Sequence, residues 1–384
     1  MTDRKQPFTI GILGGGQLAR MLALAGYTLG LRFLCLDPAR YSPAGDVADL
    51  LVGDFSDEAA LSAFAARVDV VTYEFENVPI ECVERLAQDV AVHPHPVALR
   101  TSQDRLTEKQ CFIRAGLPVH PFEAPHSRAD FLGAIGRLGL PCVVKTRRLG
   151  YDGKGQAVVR SVSDAEQVWQ ELGNAPLLVE AFVPFKGECS LIAARSVAGD
   201  VRFYPWTANV HVGGILRSSR APLAGVPQEW LRRAEATAAS LLEEFKYVGV
   251  LAIEFFITDQ GLLANEMAPR VHNSGHWTMD AGITSQFENH VRAVAGLALG
   301  ATAMSGCAGM VNLIGHAPAA AVVLAASDRH RLHLYGKEPK PGRKLGHINM
   351  RADTPAGLDS LLDACEAAVL NPSSEGIKPA PPRA

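Results

Sequence analysis

Hydrophobic and polar positions along the first hundred residues follow two periods in turn. Phe8–Leu13 is a short apolar run rich in branched side chains, and Gly14, Gly15 and Gly16 follow it at once. From Gln17 to Leu29 the apolar residues recur at helical spacing, with Leu18, Leu22 and Ala25 on one face. Leu31–Leu36 is a second strand-like run ending at Asp37, Val68–Tyr73 a later one, and Ala91–His93 another. Strand, helix and strand in this order predict a Rossmann-like parallel sheet with helices on its faces.

The sequence His93-Pro94-His95-Pro96 marks a boundary, because each proline holds its predecessor extended. Thr101 with Asp104 predicts a capping box opening a helix that ends near Gly116. Beyond it, strand-like runs (Cys142–Lys145, Leu177–Glu180, Ser190–Ala194, Arg202–Trp206) alternate with glycine turns. One long helix, about Gln228–Phe245, precedes another apolar run, Val248–Ile257. This is an α+β pattern. The last part holds runs at Met310–Ile314 and Ala320–Leu324, a basic loop at Lys337–Lys344 and a helix around Leu358–Leu370. Its end, NPSSEGIKPAPPRA, is too polar and proline-rich to pack. The expected organisation is an α/β domain over residues 1–100, an α+β domain over 101–300, and a small β-rich C-terminal domain with a disordered tail over 301–384.

Composition narrows the function classes. A formal net charge of −3, with no basic run, gives no drive toward nucleic acid or an anionic membrane. The seven cysteines are scattered, with no CxxC pair, so neither a zinc cluster nor a disulfide framework is predicted. No stretch reaches the roughly 20 consecutive apolar residues that span a bilayer. The N-terminus lacks the pattern of a secretory signal. A reducing cytoplasm is the expected setting.

Gly14-x-Gly16-x-x-Ala19 follows a strand, opens a helix and precedes Asp37 at about the spacing of a dinucleotide fingerprint. A nicotinamide-dependent oxidoreductase is therefore one reading. The same turn seats any phosphate on a helix N-terminus, and it also serves as plain architecture.

Lys145 closes the strand PCVVK, and Gly150-Tyr151-Asp152-Gly153-Lys154-Gly155-Gln156 follows. Three glycines between strands make a hairpin whose amides can close over phosphates, with Lys145 reaching them from the strand. The plainer alternative is a mobile surface hairpin. Leu177–Glu180 and Glu188 offer a strand edge for an adenine and a carboxylate for ribose hydroxyls; alone, each glutamate also reads as a solvated strand-end charge. Glu254 interrupts an otherwise buried run, where a bare carboxylate is costly. The turn Thr258-Asp259-Gln260-Gly261 then predicts a return strand, Leu262–Met267, that brings Glu266 approximately opposite Glu254. Two facing carboxylates need a cation between them, and Mg2+ suits an oxygen set completed by phosphate and water. The alternative is that each glutamate pairs with an arginine. Asn265 adds a further oxygen. Arg270, His272 and Asn273 come next, a guanidinium, an imidazole and an amide suited to a small trigonal oxyanion.

In order, GILGGGQLARM, YEFENVP, YDGKGQ, NEMAPRVHNSGHWT and PGRKLGHIN resemble the 5-(carboxyamino)imidazole ribonucleotide synthetase family of the ATP-grasp superfamily, over about residues 9 to 351. The resemblance implies a pre-ATP-grasp domain, a central ATP-grasp domain and a small C-terminal domain. It implies an ATP-dependent ligase in purine synthesis that makes carboxyphosphate from bicarbonate and transfers the carboxyl group to aminoimidazole ribonucleotide. It also implies a cytoplasmic homodimer. Carried over by motif, Arg105, Lys145, Gly150 through Gln156 (with Tyr151, Asp152, Gly153, Lys154 and Gly155 between), Glu180, Ala181, Phe182, Val183, Glu188, His211, Asn265 and Glu266 would bind ATP. Glu254 and Glu266 would hold magnesium. Arg270, His272 and Asn273 would bind bicarbonate, and Asp152 would orient or deprotonate the amine. The ribonucleotide would lie against Gly15, Gly16, Gln17, Leu18, Glu74, Glu76 and Tyr151, its phosphate on Lys344 and Arg351. Rival ATP-grasp activities are a formate-dependent glycinamide ribonucleotide transformylase and a biotin carboxylase.

Overall fold

The computed structural model describes residues 7–150, 154–318 and 327–370. The first unit is a four-stranded parallel sheet of β1 (Thr9–Leu13), β2 (Arg32–Asp37), β3 (Asp49–Val52) and β4 (Val70–Tyr73) in the order β3-β2-β1-β4. Helix α1 (Gln17–Tyr27) covers one face, and α2 (Glu58–Ala65) and α3 (Ile80–Leu86) are on the other. Burial on both faces is why its strands read as unbroken apolar runs. The expected strand at Ala91–His93 shrinks to one parallel bridge between Val71 and Val92. Pro94 and Pro96 follow it, and a residue without an N–H cannot extend a ladder.

The junction differs from the expected capping box. Thr101 lies inside helix α4 (Pro96–Ser102), its hydroxyl bonded to the Val97 carbonyl at 2.8 Å. Asp104 alone caps helix α5 (Arg105–Ala115), accepting from the amides of Leu106 and Thr107. Gly116 ends that helix in the left-handed region, as its position predicts.

A small antiparallel sheet follows: β5 (Phe122–Glu123), β6 (Cys142–Thr146), β7 (Gln156–Val159) and β8 (Leu177–Ala181), ordered β5-β8-β6-β7. Helices α6 (Arg128–Leu138) and α7 (Val162–Leu172) pack on it. The glycine loop joins β6 to β7; Tyr151, Asp152 and Gly153 lie outside the described residues.

The large sheet has nine strands: β9 (Gly187–Arg195), β10 (Val201–Phe203), β11 (Thr207–Val212), β12 (Ile215–Ala221), β13 (Gly249–Ile257), β14 (Leu262–Ala268), β15 (Cys307–Ile314), β16 (His330–Leu334) and β17 (Lys344–Ala352). Its order is β14-β13-β9-β11-β12-β15-β17-β16, with β10 on β9. β10 stops at Phe203, short of the expected Trp206, because Pro205 cannot donate to a ladder. The C-terminal strands extend this sheet, through the β12–β15 pairing, instead of building one of their own. The expected strand at Ala320–Leu324 and the tail 371–384 fall outside the described residues.

Helices α8 (Gln228–Glu244) and α9 (Gln286–Val294) and a final helix, Pro355–Leu370, cover the sheet. One core cluster joins Ile10 and Leu22 of the first unit to Ile192, Val250 and Phe287 of the large sheet and α9. That shared core fixes the two units side by side and leaves a cleft between their ends.

Candidate functional site

The site is built on the β13–β14 hairpin. Gly261 takes φ 139° in its turn, and the Thr258 amide bonds the Gly261 carbonyl at 3.0 Å. This turn, with one extra residue in β14 at Asn265, sets Glu254 directly opposite Glu266. Burial, then Glu266, pushes the Glu254 carboxyl up to about 7, and its Oε1 is buried without a hydrogen-bond partner. Burial would raise Glu266 too, but Arg105, at 2.9 Å, and Lys145 hold it down at about 2. One carboxylate is thus always charged and the other is poised to become so. Among the described residues no three His, Cys, Asp or Glu side chains converge as a metal cage. Two carboxylates with an amide beside them fit Mg2+, which takes few protein ligands and keeps places for phosphate oxygens.

The next turn carries Arg270, His272 and Asn273. The Arg270 guanidinium is ion-paired to Glu76 and donates to the Val271 carbonyl at 3.0 Å. Ser274 hydroxyl and amide both meet His272 Nδ1, so that nitrogen accepts and the proton belongs on Nε2, which faces Glu254 Oε1 at 3.7 Å. Burial, then Arg270 and Lys344, lowers His272 to about 3. The ring is therefore a neutral donor. Asn273 exchanges amide hydrogen bonds with Asn312 at 2.7 and 3.1 Å. Gln286 holds the turn from behind, accepting from the His272 amide at 2.9 Å and donating to its carbonyl at 2.6 Å.

Lys145 does not stand free at the end of its strand. Its ammonium lies 2.6 Å from Glu180 and 3.4 Å from Asn265 Oδ1. Glu180 is 2 % exposed and also faces Lys109 at 3.0 Å and His120 at 3.2 Å. The solvated strand-end reading of Glu180 is thereby corrected: against its burial, Lys145 and Lys109 hold it well below the carboxylate range. The Ala181 amide donates to Pro121, the Val183 carbonyl accepts from Phe185, and Phe182 is exposed. Glu188 meets His211 at 2.7 Å across neighbouring strands. Burial lowers the His211 pKa, but the bond to Glu188 together with the negative charges of Glu254, Glu188 and Glu266 outweighs it and the net shift is upward.

The glycine turn is used differently from either phosphate reading. The Gly15 amide donates to Asp37 at 2.7 Å, while the Gly16 and Ala19 amides donate to Glu74, the latter at 3.0 Å. The Glu74 carboxylate thus occupies the helix N-terminus where a cofactor's pyrophosphate would sit. A Cβ on Gly16 would lie 2.3 Å from Glu74 Oε1, and Gly14 has φ +96°, so both must be glycine. The nicotinamide reading is corrected on this ground. So is the reading that the turn seats another phosphate on the Gly15 and Gly16 amides. Gln17 instead reaches the cleft with its side chain, bonded to Lys337.

A cleft of about 700 Å³ gathers these groups. Its walls include Gln17, Leu18, Glu74, Glu76, Arg105, Gly150, Lys154, Glu254, Glu266, Arg270, His272, Asn273 and Lys344. Lys145, Asn265 and Glu180 stand behind Glu266, and Glu188 with His211 lies further along the sheet. Gly155 bends in the left-handed region beside Thr146, and Gln156 begins β7 opposite Lys145. Arg351 is not in the cleft: it lies seven residues beyond Lys344 towards the far end of β17, where its guanidinium donates to the Ser305 carbonyl at 3.4 Å. Lys337, Lys340 and Arg343 line the wall with Lys344 instead. The basic loop was visible in the sequence, but its inward-facing members were not. Glu108 and Lys109 also escaped notice. Their signal was a charged pair on the apolar, core-facing side of α5, with Cys111 and Phe112. Burial and nearby Glu266 push Glu108 up to about 8.

Three families match consecutive stretches of the chain: the ribonucleotide synthetase preATP-grasp domain over residues 8–103, the ATP-grasp domain over 110–287, and the phosphoribosylaminoimidazole carboxylase C-terminal domain over 308–360. The N5-carboxyaminoimidazole ribonucleotide synthase of Pseudomonas aeruginosa is 49 % identical, covering 94 % of this chain and 99 % of its own. The Bacillus subtilis enzyme of that name is 40 % identical, over 88 % and 90 %. Among solved structures, the Thermus thermophilus synthetase superposes with a TM-score of 0.89 at 49 % identity, covering 95 % and 100 %. An Aspergillus clavatus synthase in complex with ADP and 5-aminoimidazole ribonucleotide gives 0.87 at 30 %, covering 94 % and 98 %.

Proposed function

This chain belongs to the N5-carboxyaminoimidazole ribonucleotide synthase family, and we propose that its cleft performs that family's reaction: ATP-dependent carboxylation of aminoimidazole ribonucleotide by bicarbonate. The observation that carries this is one cleft holding three things together: the Glu254–Glu266 pair, the Arg270–Asn273 turn and the basic wall from Lys337 to Lys344. An ATP site, an oxyanion site and a phosphate-monoester site in contact are what the chemistry requires.

ATP lies along Arg105, Lys145, the glycine loop (Tyr151, Asp152 and Gly153 included), Ala181–Val183, Glu188 and His211. Glu254 and Glu266, with Asn265 beside them, would hold Mg2+, which would supply charge neutralisation for the transferring phosphoryl group. Bicarbonate oxygen attacks the γ-phosphorus and ADP leaves, giving carboxyphosphate. Arg270 holds the oxyanion as a fixed cation, while neutral His272 and Asn273 donate hydrogen bonds to it without competing for its proton. The amine of the ribonucleotide then attacks the carboxyl carbon, inorganic phosphate leaves, and the nitrogen gives up a proton, a role that the family resemblance assigns to Asp152. Gln17, Glu76 and Tyr151 line the ribonucleotide's place, and Lys344 with Lys337, Lys340 and Arg343 takes its phosphate. Glu74 shapes this wall by holding the glycine turn. A homodimer and a cytoplasmic setting belong to the same reading; no helix among the described residues is long and apolar enough to cross a membrane.

The deciding assay is phosphate release from ATP with Mg2+ and bicarbonate, with and without aminoimidazole ribonucleotide. Stimulation that needs both bicarbonate and the ribonucleotide is expected. Stimulation by formate in place of bicarbonate would reject the carboxylation.

The metal assignment has a pH signature. Metal binding needs Glu254 ionised, and without metal it ionises at about 7. Below that pH protons compete, so affinity falls as pH falls; above it affinity is level. ADP binding should therefore need about tenfold more Mg2+ at pH 6 than at pH 8. Isothermal titration with ADP avoids the changing bicarbonate pool. A flat profile would remove Glu254 from the metal.

A further inference from the structure

β14 is the outermost strand of the large sheet, so its outer edge has no strand to pair with. Helix α5 lies along it. Three side chains from one face of α5, at positions i, i+3 and i+4, meet three consecutive residues of β14. Arg105 Nη1 lies 2.9 Å from Glu266 Oε2, the Met267 amide donates to Glu108 Oε1 at 2.7 Å, and Lys109 Nζ donates to the Asn265 carbonyl at 3.2 Å. Glu108 is 2 % exposed and Lys109 is 1 % exposed, positions that a helix normally gives to apolar residues.

The strand is irregular at this point. Glu254 pairs with Glu266 and Phe255 with Ala264, so Asn265 is the extra residue of a bulge. Neighbours on an unbroken strand point to opposite faces. A bulge re-aims one of them. Here Asn265 Oδ1 reaches to 3.4 Å from Lys145, while Glu266, the very next residue, faces Glu254 and Arg105. Two consecutive side chains thus serve one site, and α5 grips the bulge on both flanks.

We propose that Glu108 and Lys109 are positioning residues that hold the Asn265 bulge in register, by its carbonyl and by the Met267 amide, and so present Asn265 and Glu266 together to the metal. The inference rests on the metal reading given above. Lys109 also neutralises Glu180, so Glu108 is the cleaner residue to change.

Two measurements test it, neither of them turnover. In metal-free protein, hydrogen exchange at the Met267 amide should be faster in Glu108→Ala and unchanged in Glu108→Gln, whose amide oxygen still accepts the bond. Titration of Mn2+ in the presence of ADP, followed by the resonance of the free ion, should show binding weakened about tenfold or more in Glu108→Ala and restored in Glu108→Gln. If Glu108→Ala does not fold, Glu108→Asp, one methylene short of Met267, should show the same two changes. Wild-type Mn2+ binding in the Ala or Asp variant, or a Gln variant as weak as Ala, would overturn the proposal. Glu266→Gln separates the two ideas. If it loses Mn2+ while Glu108→Ala does not, only the positioning role fails; if it binds Mn2+ like wild type, the metal reading fails with it.

Discussion

Glu266→Gln should lower ATP-dependent phosphate release by two to three orders of magnitude while the protein stays folded. Glutamine has the same shape, and its oxygen still accepts a hydrogen bond from Arg105, which now lies 2.9 Å from the carboxylate. What disappears is a full negative charge that Arg105 and Lys145 keep ionised at any physiological pH. Glu254 cannot replace it, because a single carboxylate leaves the cation with one charged ligand where the pair offers two. Removing Glu266 also removes the neighbour that raises Glu254, so Glu254 should ionise at lower pH in the variant. Extra Mg2+ should therefore recover only part of the rate. Turnover measured across a Mg2+ series, with circular dichroism as the control for folding, decides the matter. A loss below about tenfold would place the metal elsewhere.

Arg270→Met should have a comparable effect on turnover and a separate one on stability. The guanidinium is 15 % exposed and pairs with Glu76, at 28 %, across the cleft. Against burial, Arg270 keeps Glu76 ionised. Removing the cation strands that carboxylate in a poorly solvated place, a loss of about 3 kcal/mol at neutral pH. Adding Glu76→Leu removes the stranded charge, so the double variant should regain most of the stability. It should not regain turnover, which is expected to fall by about a hundredfold or more through loss of the oxyanion's fixed cation. Urea unfolding and product formation, read on the single and double variants, separate the two roles. Recovery of turnover in the double variant would make Arg270 a structural partner of Glu76 and nothing more.

The parts of the fold and site that were legible in the sequence are the local ones. The β13–β14 pairing follows from a four-residue turn between two apolar runs, and turn length sets register. The Glu254–Glu266 pair could therefore be placed approximately from spacing, one residue short of the register that the extra residue Asn265 sets. The parallel opening, the long helix α8 and most strands of the large sheet were readable because burial imposes one period on each. Errors fell where a local signal had two uses. Thr101 and Asp104 have capping-box spacing, yet Thr101 belongs to the preceding helix. The glycine turn has the form of a dinucleotide site, yet Asp37 and Glu74 fill its amides.

By itself the sequence determined where strands, helices and tight turns form, and it carried the motifs that tie the chain to its family. Tertiary structure alone decided which charges meet. Glu74 reaches a helix end 55 residues away in the chain, Arg270 finds Glu76 across 194, and Lys337 meets Gln17 across 320. Glu180 becomes the centre of a buried cluster only when α5, β6 and the segment around His120 close on it. The physical reason is the same throughout. Backbone sterics and periodic burial act over a few residues and leave a pattern in the chain. A buried ion pair is defined by the space two packed elements leave between them, and no spacing along the chain encodes that space.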